Sequence, residues 1–238
     1  MNYNLTASQK TFEAIDPPSE YYIELDDLLN GKYTNKFEGF LVIKNVFSHE
    51  IIDSLRNEYF SLFNEDYEYD GKYPFPWYYI DDITLDEDDP RSQRRPGFTH
   101  EYVSYEGKEK LTGKQVSRFH DIFVSILQNA CKKLGIMDVN VLQGRSFLQV
   151  PLNLENRDVD TPHIDILDRD NFFVVLYYVC DSDGDTIIYN ETKESDEYTV
   201  KQRVTPKKGR VVIFDGMLMH TAEQPLNNTR CIVNYNLG

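Results

Sequence analysis

The sequence predicts a mostly β protein with supporting helices, one domain built on a jelly-roll (double-stranded β-helix) core. Three observations lead there. After Gly135, eight short apolar and β-branched runs follow one another, with turn residues between them. Before Gly135, two stretches repeat apolar residues at helical spacing. At 238 residues, 40% hydrophobic and 13% aromatic, the chain can fill one core of the size all-β domains reach as a single unit.

Residues 1–36 are polar and broken by Pro17-Pro18, so they read as an arm on the domain, with Leu25–Leu29 as one helical turn. Residues 37–140 then supply a strand, helices and a loop. Gly39–Phe47 is apolar and β-branched and reads as a strand. Ser48 follows as a helix N-cap with Glu50 in the first turn, both favourable at that end. Ile51, Ile52, Leu55, Tyr59 and Leu62 continue it at helical spacing.

From Glu65 to Glu106 the composition changes. Twelve acids stand against four basic residues, and seven of the thirteen residues Tyr67–Tyr79 are aromatic. Pro74, Pro76, Pro90 and Pro96 argue against long regular structure. The segment reads as a long irregular loop. Tyr67–His100 is either a lid over a site or an ordered loop on the edge of the core. Thr112–Leu134 reads as a helix, with Val116, Phe119, Phe123, Leu127 and Ala130 among its apolar stripe and Gly135 ending it.

Residues 141–238 form the expected jelly roll. Its strands are Val141–Pro151, Thr161–Asp165, Phe172–Cys180, Asp185–Asn190, Tyr198–Val204, Arg210–Phe214, Met219–Glu223 and Arg230–Asn236. Asp183-Gly184, Pro206-Lys207-Lys208-Gly209 and Asn227-Asn228 are turn signals between them.

The chemistry gathers in this half. On an extended strand, residues two apart share a face, so His163 and Asp165 project side by side. A second imidazole, His220, follows the apolar run Val211–Phe214. Two histidines and a carboxylate on one side of a metal leave the other side open, the donor set of non-heme Fe(II) oxygenases. Arg230 adds a cation able to fork onto a carboxylate. His120 falls on the predicted helix and reads as structural, and His49 and His100 carry no assignment. Asp181-x-Asp183-x-Asp185 begins like a calcium loop but has Thr186 and Thr192 where that loop needs Gly and Glu, so a hairpin turn fits better. Arg91, Arg94 and Arg95 form a small basic patch that reads as a solvated or salt-bridged face.

A net charge of −15 disfavours a phosphate backbone, which makes nucleic acid an unlikely partner. Cys131, Cys180 and Cys231 are odd in number and widely spaced, as in reduced cytoplasmic proteins. The first residues carry no signal-peptide pattern, and no apolar run reaches membrane-spanning length. The expectation is a cytoplasmic chain with no membrane partner.

With His163, Asp165, His220 and Arg230 in this order, the sequence resembles the 2-oxoglutarate/Fe(II)-dependent oxygenases, particularly their prolyl-hydroxylase-like and phytanoyl-hydroxylase-like branches. The match covers about residues 141–238, and Gly39–Phe63 resembles the family's first strand and helix more loosely. The resemblance implies that His163, Asp165 and His220 hold Fe(II) and that Arg230 binds the distal carboxylate of 2-oxoglutarate. Prolyl hydroxylases add a tyrosine on the third core strand. Leu176-Tyr177-Tyr178-Val179 matches it, with Tyr178 the better aligned and Tyr177 the alternative. Gln149 takes a polar role on the first core strand. Arg230-Cys231-Ile232 departs from the Arg-x-Ser pattern of the plant and antibiotic-synthase branch. Asp165 stands where related halogenases place a small residue, which favours hydroxylation or another oxidation over halogenation.

The implied reaction uses Fe(II), 2-oxoglutarate and O2, releases succinate and CO2, and hydroxylates a protein, peptide or small molecule. The acidic, aromatic Tyr67–His100 segment favours a peptide, an amino-acid-like molecule or another neutral to cationic substrate, with Arg91, Arg94 and Arg95 as a local exception. Two other readings compete: a non-catalytic jelly-roll binding or structural module, and a cupin-like metalloenzyme without 2-oxoglutarate.

Overall fold

The computed structural model describes residues 22–32, 40–44, 75–84, 95–136, 139–152 and 159–238. In chain order these form β1 (Tyr22–Glu24), α1 (Leu25–Leu29), β2 (Phe40–Lys44), β3 (Tyr78–Ile80), β4 (Gly97–Ser104), β5 (Lys114–Gln115) and α2 (His120–Lys133). The second half supplies β6 (Val141–Gln149), β7 (Phe173–Tyr178), β8 (Thr186–Tyr189), β9 (Val200–Val204), β10 (Val211–Asp215), β11 (His220–Ala222) and β12 (Arg230–Leu237).

Two sheets make the jelly-roll core. The larger runs β1-β2-β10-β7-β12-β6-β4-β3, with β5 also on β4, and the smaller runs β11-β8-β9. Among the described strands, β1 and β2 pair in parallel and the other pairs are antiparallel. Alternation along the central strands divides the core. Val175 and Tyr177 of β7, Val211 and Ile213 of β10 and Val233 of β12 pack against Phe119, Phe123 and Leu127. Their neighbours Val174, Leu176, Tyr178, Val212, Phe214 and Ile232 face Ile188 and Val204 of the small sheet. Both faces are thus out of water, which is why β7 and β10 read as unbroken apolar runs. Within the small sheet, buried Arg203 pairs with Asp185 and Glu223.

Several expectations change. The predicted helix from Thr112 begins at His120 instead. The amides that would start it are used elsewhere: Gly113 N–H donates to Val141 (2.8 Å) and Val116 N–H to Tyr102 (2.8 Å). A side chain at Gly113 would collide with the Leu142 carbonyl oxygen, so the chain passes flat against β6 before the helix starts. Val116 is consequently exposed. The helix does end where expected, at Gly135 with φ 80° and Ile136 N–H bonded to Cys131 (3.0 Å).

The prolines of the acidic aromatic segment do not prevent strands: β4 starts directly after Pro96, and β3 two residues after Pro76. A strand's first residues tolerate a preceding proline because no ladder bond is needed there. Part of the expected arm is also sheet, since β1 pairs with β2 and Leu25 and Leu28 are buried. The predicted hairpin at Asp183-Gly184 joins β7 and β8, which lie in different sheets, so it is a crossover. Asp183 accepts the Leu226 and Asn227 amides at 3.2 and 3.0 Å and pins the loop before β12. The helix expected after Ser48, His49, residues 67–74 and 85–94 with Arg91 and Arg94 lie outside the described residues.

All three cysteines are reduced thiols, and burial pushes the Cys131 thiol up to about 12, which leaves it protonated and unreactive. No described helix is long and apolar enough to cross a membrane. Phe123 is fully buried, with Tyr102 at 5.7 Å and Tyr177 at 6.3 Å between ring centres. Phe123→Ala is expected to destabilise the fold by about 3–5 kcal/mol in urea unfolding; a loss under about 1 kcal/mol would mean that α2 does not seal the core.

Candidate active site

Residues 159–172 lead from β6 to β7, and two bridges hold this segment to β11: Val159 with Glu223, and His163 with His220. The second is reciprocal, His163 N–H to His220 O at 3.0 Å and His220 N–H to His163 O at 3.1 Å. Thr161–Asp165 is not the strand the sequence suggested. Pro162 has no N–H to give a ladder, and the chain turns away after one bridged residue. The convergence of side chains survives, because the bridge sets the two imidazoles 4.6 Å apart between ring centres.

Each ring is oriented by its own backbone. His163 Nδ1–H donates to Thr161 O and His220 Nδ1–H to Leu218 O, both at 3.1 Å. Both Nε2 atoms are thereby left as bare lone pairs aimed at Asp165. Asp165 Oδ1 lies 3.5 Å from His163 Nε2 and 3.8 Å from His220 Nε2. One ligand atom from each of the three falls within 4.8 Å of the others, the sole such cluster among the described residues. Asn234 donates to Asp165 Oδ2 (2.9 Å), and an Arg145 nitrogen lies 3.7 Å from Oδ1. Burial alone would push the Asp165 carboxyl up; when the rings are protonated, hydrogen bonds from His163 and His220, with the charges of His220 and Arg145, hold it well below the usual range.

Arg230 opens β12 and is 3% exposed. Its guanidinium donates to Gly184 O (3.1 Å), Gln149 Oε1 (2.9 Å) and Thr186 Oγ1 (2.9 Å). Three of its five N–H groups are used, and among the described residues no carboxylate pairs with it. Gln149 passes the contact on, donating to Asp160 Oδ2 at 3.0 Å. Asp160 also takes the Gln224 amide and lies 3.6 Å from Arg95, so the basic patch contributes one buried, ion-paired arginine. Tyr178 and Tyr177 part company: Tyr178 donates to Thr186 Oγ1 (2.7 Å), while Tyr177 faces α2.

These groups line one cavity of about 1060 Å3, in which the triad, Arg230 and Gln149 share walls with Ile80, Thr99, Glu101, Arg145 and Asn234. The described part of the predicted lid is therefore a wall, made of β3, β4 and the residues after β3. Sequence reading did not single out Glu101, Arg145 or Asn234. The available signal was parity, since Arg145, Phe147 and Gln149 alternate along one strand face. His100 is structural: its Nδ1–H donates to Pro76 O (2.8 Å), and Nε2 meets Ser117 Oγ at 2.9 Å. His120 lies 3.2 Å from the Tyr235 hydroxyl, away from the cavity.

No family model and no curated sequence matches this chain. Solved structures do. An oxidoreductase of the 2OG-Fe(II) oxygenase family from Burkholderia pseudomallei superposes at TM-score 0.60 with 9% identity, covering 95% of this chain and 94% of its own. The chain has the fold of the 2-oxoglutarate/Fe(II) oxygenases. AviO1 from Streptomyces viridochromogenes Tue57 matches at 0.53 with 16% identity over 85% of this chain and 90% of its own. The epimerase SnoN, solved with Fe3+, alpha ketoglutarate and nogalamycin RO, matches at 0.55 with 10% identity over 90% and 82%.

His163→Ala and His220→Ala should each lower Mn(II) or anaerobic Fe(II) affinity by more than the roughly 10–100-fold caused by losing a group that only orients a ligand. Unchanged affinity in either variant, with the fold intact by circular dichroism, removes that residue from the metal site.

Proposed function

We propose that this chain is an Fe(II)- and 2-oxoglutarate-dependent oxygenase that hydroxylates a small molecule or peptide, with release of succinate and CO2. One observation carries the reading. A cluster of two Nε2 atoms and a carboxylate shares its cavity with a buried guanidinium that has two N–H groups to spare and no carboxylate partner among the described residues. Nitrogen, nitrogen and oxygen donors crowded on one side suit Fe(II) and leave coordination positions for a co-substrate and O2. A buried cation without a counterion suits a dicarboxylate whose far end it neutralises. That same cation counts against a cupin-like metalloenzyme and against a purely structural module.

Bound there, iron with 2-oxoglutarate and O2 supplies the oxidising chemistry. The protein's part is placement. Arg230 grips the distal carboxylate, held in position by Gly184, Thr186 and Gln149. Tyr178 acts through Thr186 instead of touching the ligand directly. Gln149 is likewise a positioning residue: its Oε1 meets Arg230 and its amide nitrogen meets Asp160, which fixes which way the amide points. Phe147, Leu176 and Ile232 line the cavity with apolar surface and keep water from the reacting groups. SnoN, bound to iron and alpha ketoglutarate in the same fold, supports the cofactor set.

Succinate formation from 2-oxoglutarate by the Fe(II)-loaded protein, with mass analysis for added oxygen, tests the reading directly. Arg230→Met should weaken 2-oxoglutarate binding by about 2–5 kcal/mol, roughly 30- to several-thousand-fold, while metal affinity stays within about threefold. Equal 2-oxoglutarate affinity in wild type and variant would refute the assignment.

A further inference from the structure

The cavity has two ends, and the co-substrate accounts for one. β12 and β6 pair in the register Arg230–Gln149, Ile232–Phe147 and Asn234–Arg145. At about 3.3 Å per residue, Arg145 sits roughly 13 Å along the strand from Gln149. The metal-ligating Asp165 lies at the Arg145 end, touched by both Asn234 and Arg145. A substrate that meets the metal from the side opposite Arg230 meets these residues.

Three polar groups there are incompletely partnered among the described residues. Arg145 lies over the Phe147 ring at 5.1 Å and beside Asp165, yet none of its N–H groups makes a hydrogen bond to a described residue. Glu101 stands directly across from it on β4, faces the same cavity and has neither a hydrogen bond nor an ion pair among the described residues. Asn234 is 6% exposed; its amide nitrogen serves Asp165 while its buried Oδ1 has no hydrogen-bond partner among the described residues. Facing side chains of opposite charge ordinarily close onto each other. Here Asp165 draws Arg145 aside and leaves Glu101 apart from it.

We propose that this end of the cavity binds the primary substrate, and that the substrate is a small zwitterion of the α-amino-acid type. Arg145 takes its carboxylate, and Glu101 with Asn234 Oδ1 takes its ammonium group. The proposal rests on the oxygenase reading for its chemistry but not for its binding. Side chains of directly opposed residues start about 5 Å apart, a gap that one small molecule carrying both charges can bridge. A phosphate would meet Glu101 and Asp165 with like charge. A simple amine would leave Arg145 unsatisfied, and the interior of a peptide offers neither charge.

The test uses the full chain under anaerobic conditions. Fe(II) and 2-oxoglutarate are titrated first; each of the common L-amino acids is then titrated into the loaded protein. For the tightest amino acid, the des-amino acid and the decarboxylated amine are compared with it. Both analogues should bind at least tenfold more weakly to the wild type. Arg145→Gln should bind the amino acid at least tenfold more weakly and no better than the decarboxylated amine. Glu101→Gln should do the same with respect to the des-amino acid. The wild-type analogue series decides the matter even if a variant misfolds. The proposal is overturned if no amino acid binds, if the analogues match the parent, or if Arg145→Gln loses tenfold in 2-oxoglutarate affinity with no amino acid present. Should Fe(II) and 2-oxoglutarate fail to bind, the oxygenase reading falls, and the same titrations on metal-free protein still decide the zwitterion site.

Discussion

Every residue of β12 is buried, and that desolvation governs what the surrounding chain has to supply. The strand is paired on both sides, by β6 and β7, so its backbone is satisfied. One row, Cys231, Val233, Tyr235 and Leu237, joins the apolar core under α2. The other, Arg230, Ile232, Asn234 and Asn236, carries three polar side chains into a region without bulk water. A polar group in such a place costs several kcal/mol unless it is bonded. Gly184, Gln149 and Thr186 answer Arg230, Asp165 answers Asn234, and Gln143 answers Asn236 at 3.3 Å. The cavity is built where those answers are incomplete.

The same economy shapes Asp160. It is 3% exposed, and burial pushes its carboxyl up against the pull of Gln224, Arg95, Arg230 and Gln149. It does not touch Arg230; Gln149 stands between them. A direct ion pair would occupy the guanidinium donors that face the cavity. By reaching Arg230 through an amide, the acid orients it without neutralising it at contact distance, and the cation stays available for a ligand.

Much of the candidate site's convergence was legible in the sequence because its parts carry strong chemical signatures. A His-x-Asp pair, a later His after an apolar strand and a following Arg are residue types that rarely serve a core together, and the structure gathers all four around one cavity. Seven of the eight predicted core strands match elements within two residues at each end, since runs such as Val211–Phe214 are apolar on both faces. The failures are tertiary. Nothing local in Thr112–Ser117 announces that its amides are used by β4 and the chain entering β6. Proline content hid β3 and β4 because what matters is where the proline falls relative to the ladder. Glu101 and Arg145 are ordinary surface residues by type and become notable only through the β4–β6 register. The helix after Ser48 lies outside the described residues.

The imidazole hydrogen bonds carry a wider implication. Each closes over a span of two residues, from Nδ1 of His163 or His220 to the carbonyl two positions earlier in the chain. The choice of tautomer is therefore written into a local loop of backbone, independent of how the sheets pack around it. Exchange of one transition ion for another would find the same rings already turned the same way. On the proposed reading, discrimination between metals would fall to cellular supply and ion size, and zinc or cobalt would compete for the same donors.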